Sequence, residues 1–296
     1  MMLIGCNSLS FAAKRSDAEA VLLLAKSGFD SVDYNLNKYS VRDPIADFWT
    51  MSEAEHIEYA KKLKAVADEA GIVFGQVHSP YPTYFPNAEK LEQVLEITKR
   101  SVLIASVLDS PYIVIHPNVP PEAVMPLQVE EAVESNLKYY SGLFEDLKRA
   151  EAFVGIENMF NWNWDLDIPL PTVASTAECM AYMVDSLNNM CGEKLFVACL
   201  DTGHALLTGG GDPAKMVDIL GKRLELLHIH DNDGKRDRHH LPFTGVIDWD
   251  AFIKALVRNG YKGVLSLEIK TDGTEADSAF DAANKLKTIF EKESIE

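Results

Sequence analysis

At 296 residues and 47% hydrophobic content, the chain can form one large α/β domain or two ordinary ones and can bury a sizeable core. Its 28 lysines and arginines against 45 aspartates and glutamates leave a net charge of -17, which repels polyanions and argues against a nucleic-acid or anionic-membrane partner. A small neutral or weakly charged substrate suits such a chain better.

The opening MMLIGCNSLSF has no basic flank and only a short apolar run before Gly5, so it reads as a first buried strand and not as a signal peptide. No stretch reaches transmembrane length. Cys6, Cys179, Cys191 and Cys199 lack paired spacing, so reduced, mostly buried thiols in a cytoplasmic protein are the expectation.

Short apolar runs then alternate with longer amphipathic stretches to the end of the chain, the pattern of repeated βα units building a parallel sheet. Strands are predicted over 3–7, 30–35, 73–78, 112–116, 153–158, 196–201, 224–231 and 263–269. Helices are predicted over 16–27, 52–70, 88–108, 129–151, 176–189, 213–220, 248–259 and 276–292. Ser52 with Glu55 forms a capping box, and Gly71 and Gly260 mark helix ends. Eight strands each followed by a helix match a closed barrel, whereas a doubly wound sheet would usually show a Gly-rich first turn, which NSLSFAAK lacks. With no linker or repeat to divide it, the chain is read as α/β, a single (β/α)8 TIM barrel spanning 1–296 with long βα loops at its C-terminal face.

Three connections, 36–51, 79–87 and 159–174, are longer than a barrel requires, and all follow strands. They therefore belong to the face where barrel enzymes build their sites. Tyr39, Phe48, Trp49, Tyr81, Tyr84, Phe85, Phe160, Trp162 and Trp164 crowd them. These aromatics either pack the loops onto the rim or wall a pocket against the apolar faces of a polyol.

The strand ends carry the chemistry, because residues there project into one shared mouth. His78 ends FGQVH, His116 ends YIVIH, Glu157 ends FVGIE, Asp201 ends FVACLD with His204 one turn on, His230 ends LLHIH and Glu268 ends VLSLE. A lone histidine or carboxylate at such a place is ordinarily a structural hydrogen-bonding group or a helix cap. Six strands of eight ending this way gather acids that repel one another and resist desolvation, a cost that a bound cation removes. The stretch 224–249 adds further candidates in His228, Asp231, Asp233, Asp237, His239 and His240.

This set, with DTGH, HDND and DRHH in that order, resembles the xylose-isomerase-like barrel superfamily, which unites sugar epimerases and isomerases with a metal-dependent abasic-site endonuclease (AP endonuclease family 2). The resemblance covers nearly the whole chain. It implies one divalent metal held by Glu157, Asp201, His230 and Glu268, as in the epimerases. If the site is polynuclear, as in the three-zinc endonuclease, it implies His78, His116, His204, Asp237 and His239 as further ligands. His228 competes with His230 on the seventh strand, being on the same side but one step deeper. His230 is preferred, because the site should lie at the strand end. The Phe243-Thr244-Gly245 turn replaces the Gly-x-Gly expected of the endonuclease, and the acidic balance also departs from a DNA binder. Lys38, Arg42, Lys235, Arg236 and Arg238 are the main loop cations, solubilising charges or else groups that orient a substrate anion.

The function this implies is isomerisation or epimerisation of a small keto-sugar or hydroxy-ketone. A metal would hold the carbonyl and a neighbouring hydroxyl and stabilise an enediolate, Glu157 and Glu268 would exchange the proton, and His204 would help place a substrate oxygen. An inosose-type dehydratase needs the same site but expels a β-hydroxyl. The same residues would also serve a zinc-dependent abasic-site endonuclease or, without catalysis, a sugar-binding barrel. Carboxylates with one imidazole suit Mn, Mg or Co, while added histidines favour Zn or Fe, with one to three ions according to the ligand set used. The expected partner is a sugar or polyol. Homo-oligomers are common among such barrels, and no interface is identifiable in the sequence.

Overall fold

The apolar runs become strands because each is covered on both sides: the strand Phe196–Asp201 (FVACLD) is buried along its whole length, as a parallel strand between helices and barrel interior must be. The computed structural model describes residues 2–119, 129–208, 210–271 and 275–295. In chain order the strands are β1 (Ile4–Asn7), β2 (Ser31–Asn35), β3 (Val73–His78), β4 (Tyr112–Ile115), β5 (Phe153–Glu157), β6 (Phe160–Asn163), β7 (Ile168–Pro171), β8 (Phe196–Asp201), β9 (Leu224–His228) and β10 (Leu265–Leu267). Eight of them form one parallel sheet in the order β10-β1-β2-β3-β4-β5-β8-β9. The ring is completed where Ile229 N donates to Ser266 O (2.8 Å) and Glu268 N donates to Ile229 O (3.0 Å). This is the expected α/β barrel.

The outer helices start and stop on local chemistry. Ser16 with Glu19, and Ser52 with Glu55, form reciprocal capping boxes. Asn87, Thr176, Asp212 and Asp248 cap the helices that follow them. Gly71 ends the helix Glu53–Ala70 at φ 72°, a left-handed conformation that costs glycine nothing. No helix among the described residues is long and apolar enough to cross a membrane.

Three of the differences from the sequence reading have a clear physical cause. The helix predicted over 129–151 is two, Val129–Ser141 and Phe144–Ala150, because Gly142 and Leu143 bond to carbonyls only three residues back and Leu143 turns fully inward. The connection 159–174 is an antiparallel hairpin, β6 against β7. Its tip is a local turn in which Asn163 Oδ1 accepts from Asp165 N (3.0 Å) and Leu166 N (2.9 Å). Pro169 and Pro171 argue against a strand in a central position, but a two-stranded ribbon has free edges where a missing N–H costs nothing. Finally, β9 ends at His228 and not at 231, which changes the reading of the mouth.

The loop 36–51 is anchored by a buried acid. Asp17 Oδ2 accepts from Tyr34 (2.7 Å), Tyr39 (2.6 Å) and Tyr59, and Oδ1 accepts from Lys38 Nζ (2.7 Å). Tyr39 also stacks on Phe48, with centroids 3.9 Å apart, and Trp49 Nε1 donates to Tyr39 O (2.8 Å). These aromatics pack the rim. Burial opposes ionisation of Asp17, but the Lys38 ammonium and the three phenols outweigh it and hold the carboxyl below its ordinary value. A lowered folded-state value means that stability is present above the unfolded value and lost as pH falls through the folded one. Asp17→Asn is therefore expected to destabilise the protein by about 2–3 kcal/mol at neutral pH. In denaturant titrations this difference should stay constant from about pH 5 to 8 and shrink below about pH 4. A difference that grows on acidification would refute the assignment.

Candidate metal centre

Register sets the geometry of the mouth. Asp201 at the end of β8 pairs with His228 at the end of β9, and Glu157 ends β5. The next turn places His230 one level further out, where it is followed by the bridge between Asp231 and His240. Ligand atoms of Glu157, Asp201, His228 and Glu268 consequently lie within 4.8 Å of one another, as do those of His204, His230, Asp237 and His239. His78, His116 and Glu157 form a third such group, and His78, His228 and Glu268 a fourth. All nine residues named from the sequence converge on one region, and His228 joins them.

Glu157 is the hub. One carboxylate oxygen lies 3.1 Å from His116 Nε2 and 3.5 Å from His78 Nε2; the other lies 3.3 Å from His228 Nδ1 and 3.5 Å from His204 Nδ1. Glu268 Oε2 approaches the same His228 Nδ1 at 2.9 Å. The two glutamates, from opposite parts of the ring, thus meet at one imidazole nitrogen. On the far side of that imidazole, Nε2 faces Asp33 Oδ2 at 3.3 Å, and Asn7 Nδ2 donates to the same oxygen (2.9 Å). Asp33 and Asn7 are missing from the sequence-based candidates. Asn7 ends β1 as an ordinary polar cap would, and Asp33 stands in the middle of β2, so neither stands out among strand-end candidates.

The outer group is tied by Asp201 and Asp237. His230 Nε2 lies 3.0 Å from both Asp201 oxygens, and Thr202 Oγ1 donates to His230 O (2.7 Å). Asp201 Oδ1 accepts from His204 N (2.7 Å), starting the helix Thr202–Thr208 that carries His204. Asp237 Oδ2 pairs with His239 Nε2 at 2.8 Å, and the His239 ring stacks on His230 with centroids 4.0 Å apart. The DTGH motif now has a steric reason: a Cβ on Gly203 would sit 1.9 Å from His230 Cε1, so only glycine lets the imidazole lie against this turn.

Burial works against charge here, but neighbouring imidazoles oppose it at Glu157, Glu268 and Asp237. His228 and His116 beside Glu157 hold its carboxyl well below the ordinary range, and His228 does the same for Glu268. His204 and His239 keep Asp237 low. Burial alone would depress His204, but Asp201 and Asp237 push it up to about 10. His116 is lowered, since burial exceeds the pull of Glu157. Several buried atoms have no hydrogen-bond partner among the described residues: Glu157 Oε2, Asp237 Oδ1, Asp33 Oδ1 and both nitrogens of His228. Unpaired acceptors and imidazole nitrogens aimed at shared points are the donor set of a hard or borderline divalent cation, so the residues fit a metal.

Of the loop cations, Lys38 is bound to Asp17, Arg236 to Asp167 and Arg238 to Asp233, which gives these three structural partners. Arg42 lines a cleft beside the centre.

A family model described as a xylose isomerase-like TIM barrel matches residues 21–289. An uncharacterized protein of Methanocaldococcus jannaschii, MJ1311, is 28% identical over 266 residues, covering 84% of this chain and 85% of its own. Among solved structures, a D-tagatose 3-epimerase-like protein is similar with a TM-score of 0.74 and 24% identity over 98% of this chain and 99% of the other. The IolI protein, whose structure has a bound zinc atom, is similar with a TM-score of 0.72 and 18% identity, over 98% of this chain and 99% of the other. These two likenesses show the fold.

Proposed function

Because the chain belongs to the xylose isomerase-like TIM-barrel family, we propose that it is a divalent-metal-dependent isomerase or epimerase of small keto-sugars or hydroxy-ketones, exchanging a proton at the carbon beside the carbonyl. The observation that carries this reading is the convergence of Glu157 and Glu268 on one His228 nitrogen, at 3.3 and 2.9 Å, with Asp201 in the same group. A pure binding protein has no need of two ionised glutamates facing one point. The epimerase-like and zinc-carrying relatives support a sugar substrate and a metal.

Glu157, Asp201, His228 and Glu268 would hold the ion. When bound, it supplies Lewis acidity toward a carbonyl and a neighbouring hydroxyl. Glu157 and Glu268 come from separate strands and can address opposite faces of a substrate carbon, one removing the proton and the other returning it. His204 is held by Asn158 O at Nδ1 (2.9 Å), and its Nε2 lies 3.7 Å from Asp237 Oδ1, from where it would orient a substrate oxygen. Asp33 faces Nε2 of His228, which favours presenting Nδ1 to the acids.

The test is turnover of ketohexoses in deuterated water with added Mn²⁺, followed by NMR. Deuterium at C1 or C3, the carbons beside the C2 carbonyl, is expected, and its absence across D-fructose, D-psicose, D-tagatose and D-sorbose would sink the proposal. A product lighter by one water would assign the dehydratase instead. A second reading, hydrolysis at a polynuclear centre, is favoured by the outer group of His204, His230, Asp237 and His239. Elemental analysis separates the two: one equivalent of metal supports the exchange site, and close to three, with cutting of an abasic-site duplex, supports the hydrolase.

A further inference from the structure

A cleft of about 900 Å³ adjoins the candidate metal centre at His116. One wall is the β3 loop with Tyr81, Tyr84 and Phe85; the other is the β6–β7 hairpin with Phe160, Trp162 and Trp164. The cleft is continuous with the reacting groups: Tyr81 stacks on His116 at 4.7 Å between centroids, and Phe160 meets His204 edge-on at 5.0 Å. Its volume is near the top of the range of roughly 300–1,000 Å³ that drug-sized ligands fill, so a lone sugar at the metal would leave most of it wet.

We propose that the substrate is a two-ring sugar, a ketose bearing a neutral glycosyl residue that lies between these aromatic walls while the ketose occupies the metal centre. This rests on the keto-sugar reading above. Aromatic faces match the C–H faces of a pyranose ring. Arg42 is the only lysine, arginine, aspartate or glutamate in the lining among the described residues, and one exposed guanidinium is a poor cradle for a phosphate, which favours a neutral appendage. Trp162 adds a specific group. Its Nε1 is buried without a hydrogen-bond partner among the described residues, while Arg236 lies over the ring at 5.4 Å and Asp167 holds that arginine. A buried donor left unpaired is costly, and a glycosidic or hydroxyl oxygen would satisfy it. In another large cavity, at the foot of the barrel, Tyr112 Oη donates to Glu225 Oε2 (2.7 Å) and Tyr261 Oη donates to Val264 O (2.9 Å), so these phenols are already partnered.

Binding is read by intrinsic tryptophan fluorescence of the Mn²⁺-loaded full chain, titrated with D-fructose and with the ketose disaccharides turanose, maltulose, lactulose and isomaltulose, whose linkages differ. At least one disaccharide is expected to half-saturate at a concentration about tenfold below that of D-fructose, the gain of roughly 1.4 kcal/mol that one or two aromatic stacking contacts provide. Trp162→Ala should remove that preference. Equal or tighter binding of D-fructose than of all four disaccharides overturns the proposal, and a preference that survives Trp162→Ala overturns the placement of the second ring. Fluorescence reports binding whether or not exchange follows. Tight disaccharide binding without exchange therefore counts against the reaction, and exchange on D-fructose without disaccharide preference counts against the two-ring substrate.

Discussion

Glu157→Gln is expected to lower solvent-proton exchange by about 10³-fold while the protein still folds. The substitution keeps the shape of the side chain but removes the charge that His116, His228, His78 and His204 all face. An amide cannot accept the proton. It also makes a weaker metal ligand, so activity alone would not separate the two roles. Metal content and exchange should therefore be measured on the same sample. A variant that keeps its metal and has lost exchange identifies Glu157 as a proton carrier. If it keeps its metal and exchanges at more than about a tenth of the wild-type rate, the proton passes elsewhere, and Glu268→Gln becomes the decisive variant.

His228→Ala and His230→Ala should differ sharply. Loss of His228 is expected to weaken the first metal by at least about 100-fold, read by competition with a chelator, since it removes an inner nitrogen and leaves Glu157 and Glu268 facing each other uncompensated. Loss of His230 should cost the first metal less than about tenfold and should lower the stoichiometry only if a second ion binds. Because His228 is fully buried, His228→Asn, which keeps a polar group of similar reach, guards against a simple folding defect. The opposite result, with the metal lost on changing His230 and kept on changing His228, would restore the strand-end preference drawn from the sequence.

That preference rests on where the seventh strand stops, which local pattern does not show. The pair H-x-H places both imidazoles on one side of an extended chain, and the sequence supports a strand running on to 231. Where the strand stops depends on its neighbours: β8 ends at Asp201, opposite His228, and beyond that point the chain bonds across to β10 and to His240. The hairpin β6–β7 was hidden for a related reason. Its prolines and turn residues look like loop chemistry, and nothing local says that two such segments will find each other. Asp33 and Asn7 went unseen because their role exists only where β1, β2, β9 and β10 face a common axis.

The sequence by itself determined the barrel and most of the acids and imidazoles that reach its mouth. The strands that carry them are largely apolar up to their ends, and whatever follows that run is delivered to one mouth, so Glu157, Asp201, His78, His116 and Glu268 could be read off strand ends without knowing any contact. Only the tertiary structure decided how this inventory divides into an inner group around His228 and an outer group around His230, and that an aromatic cleft adjoins the centre. Depth along a barrel axis is set by hydrogen-bond register between strands far apart in sequence, and a step of two residues, invisible to local pattern, moves a side chain from one group to the other.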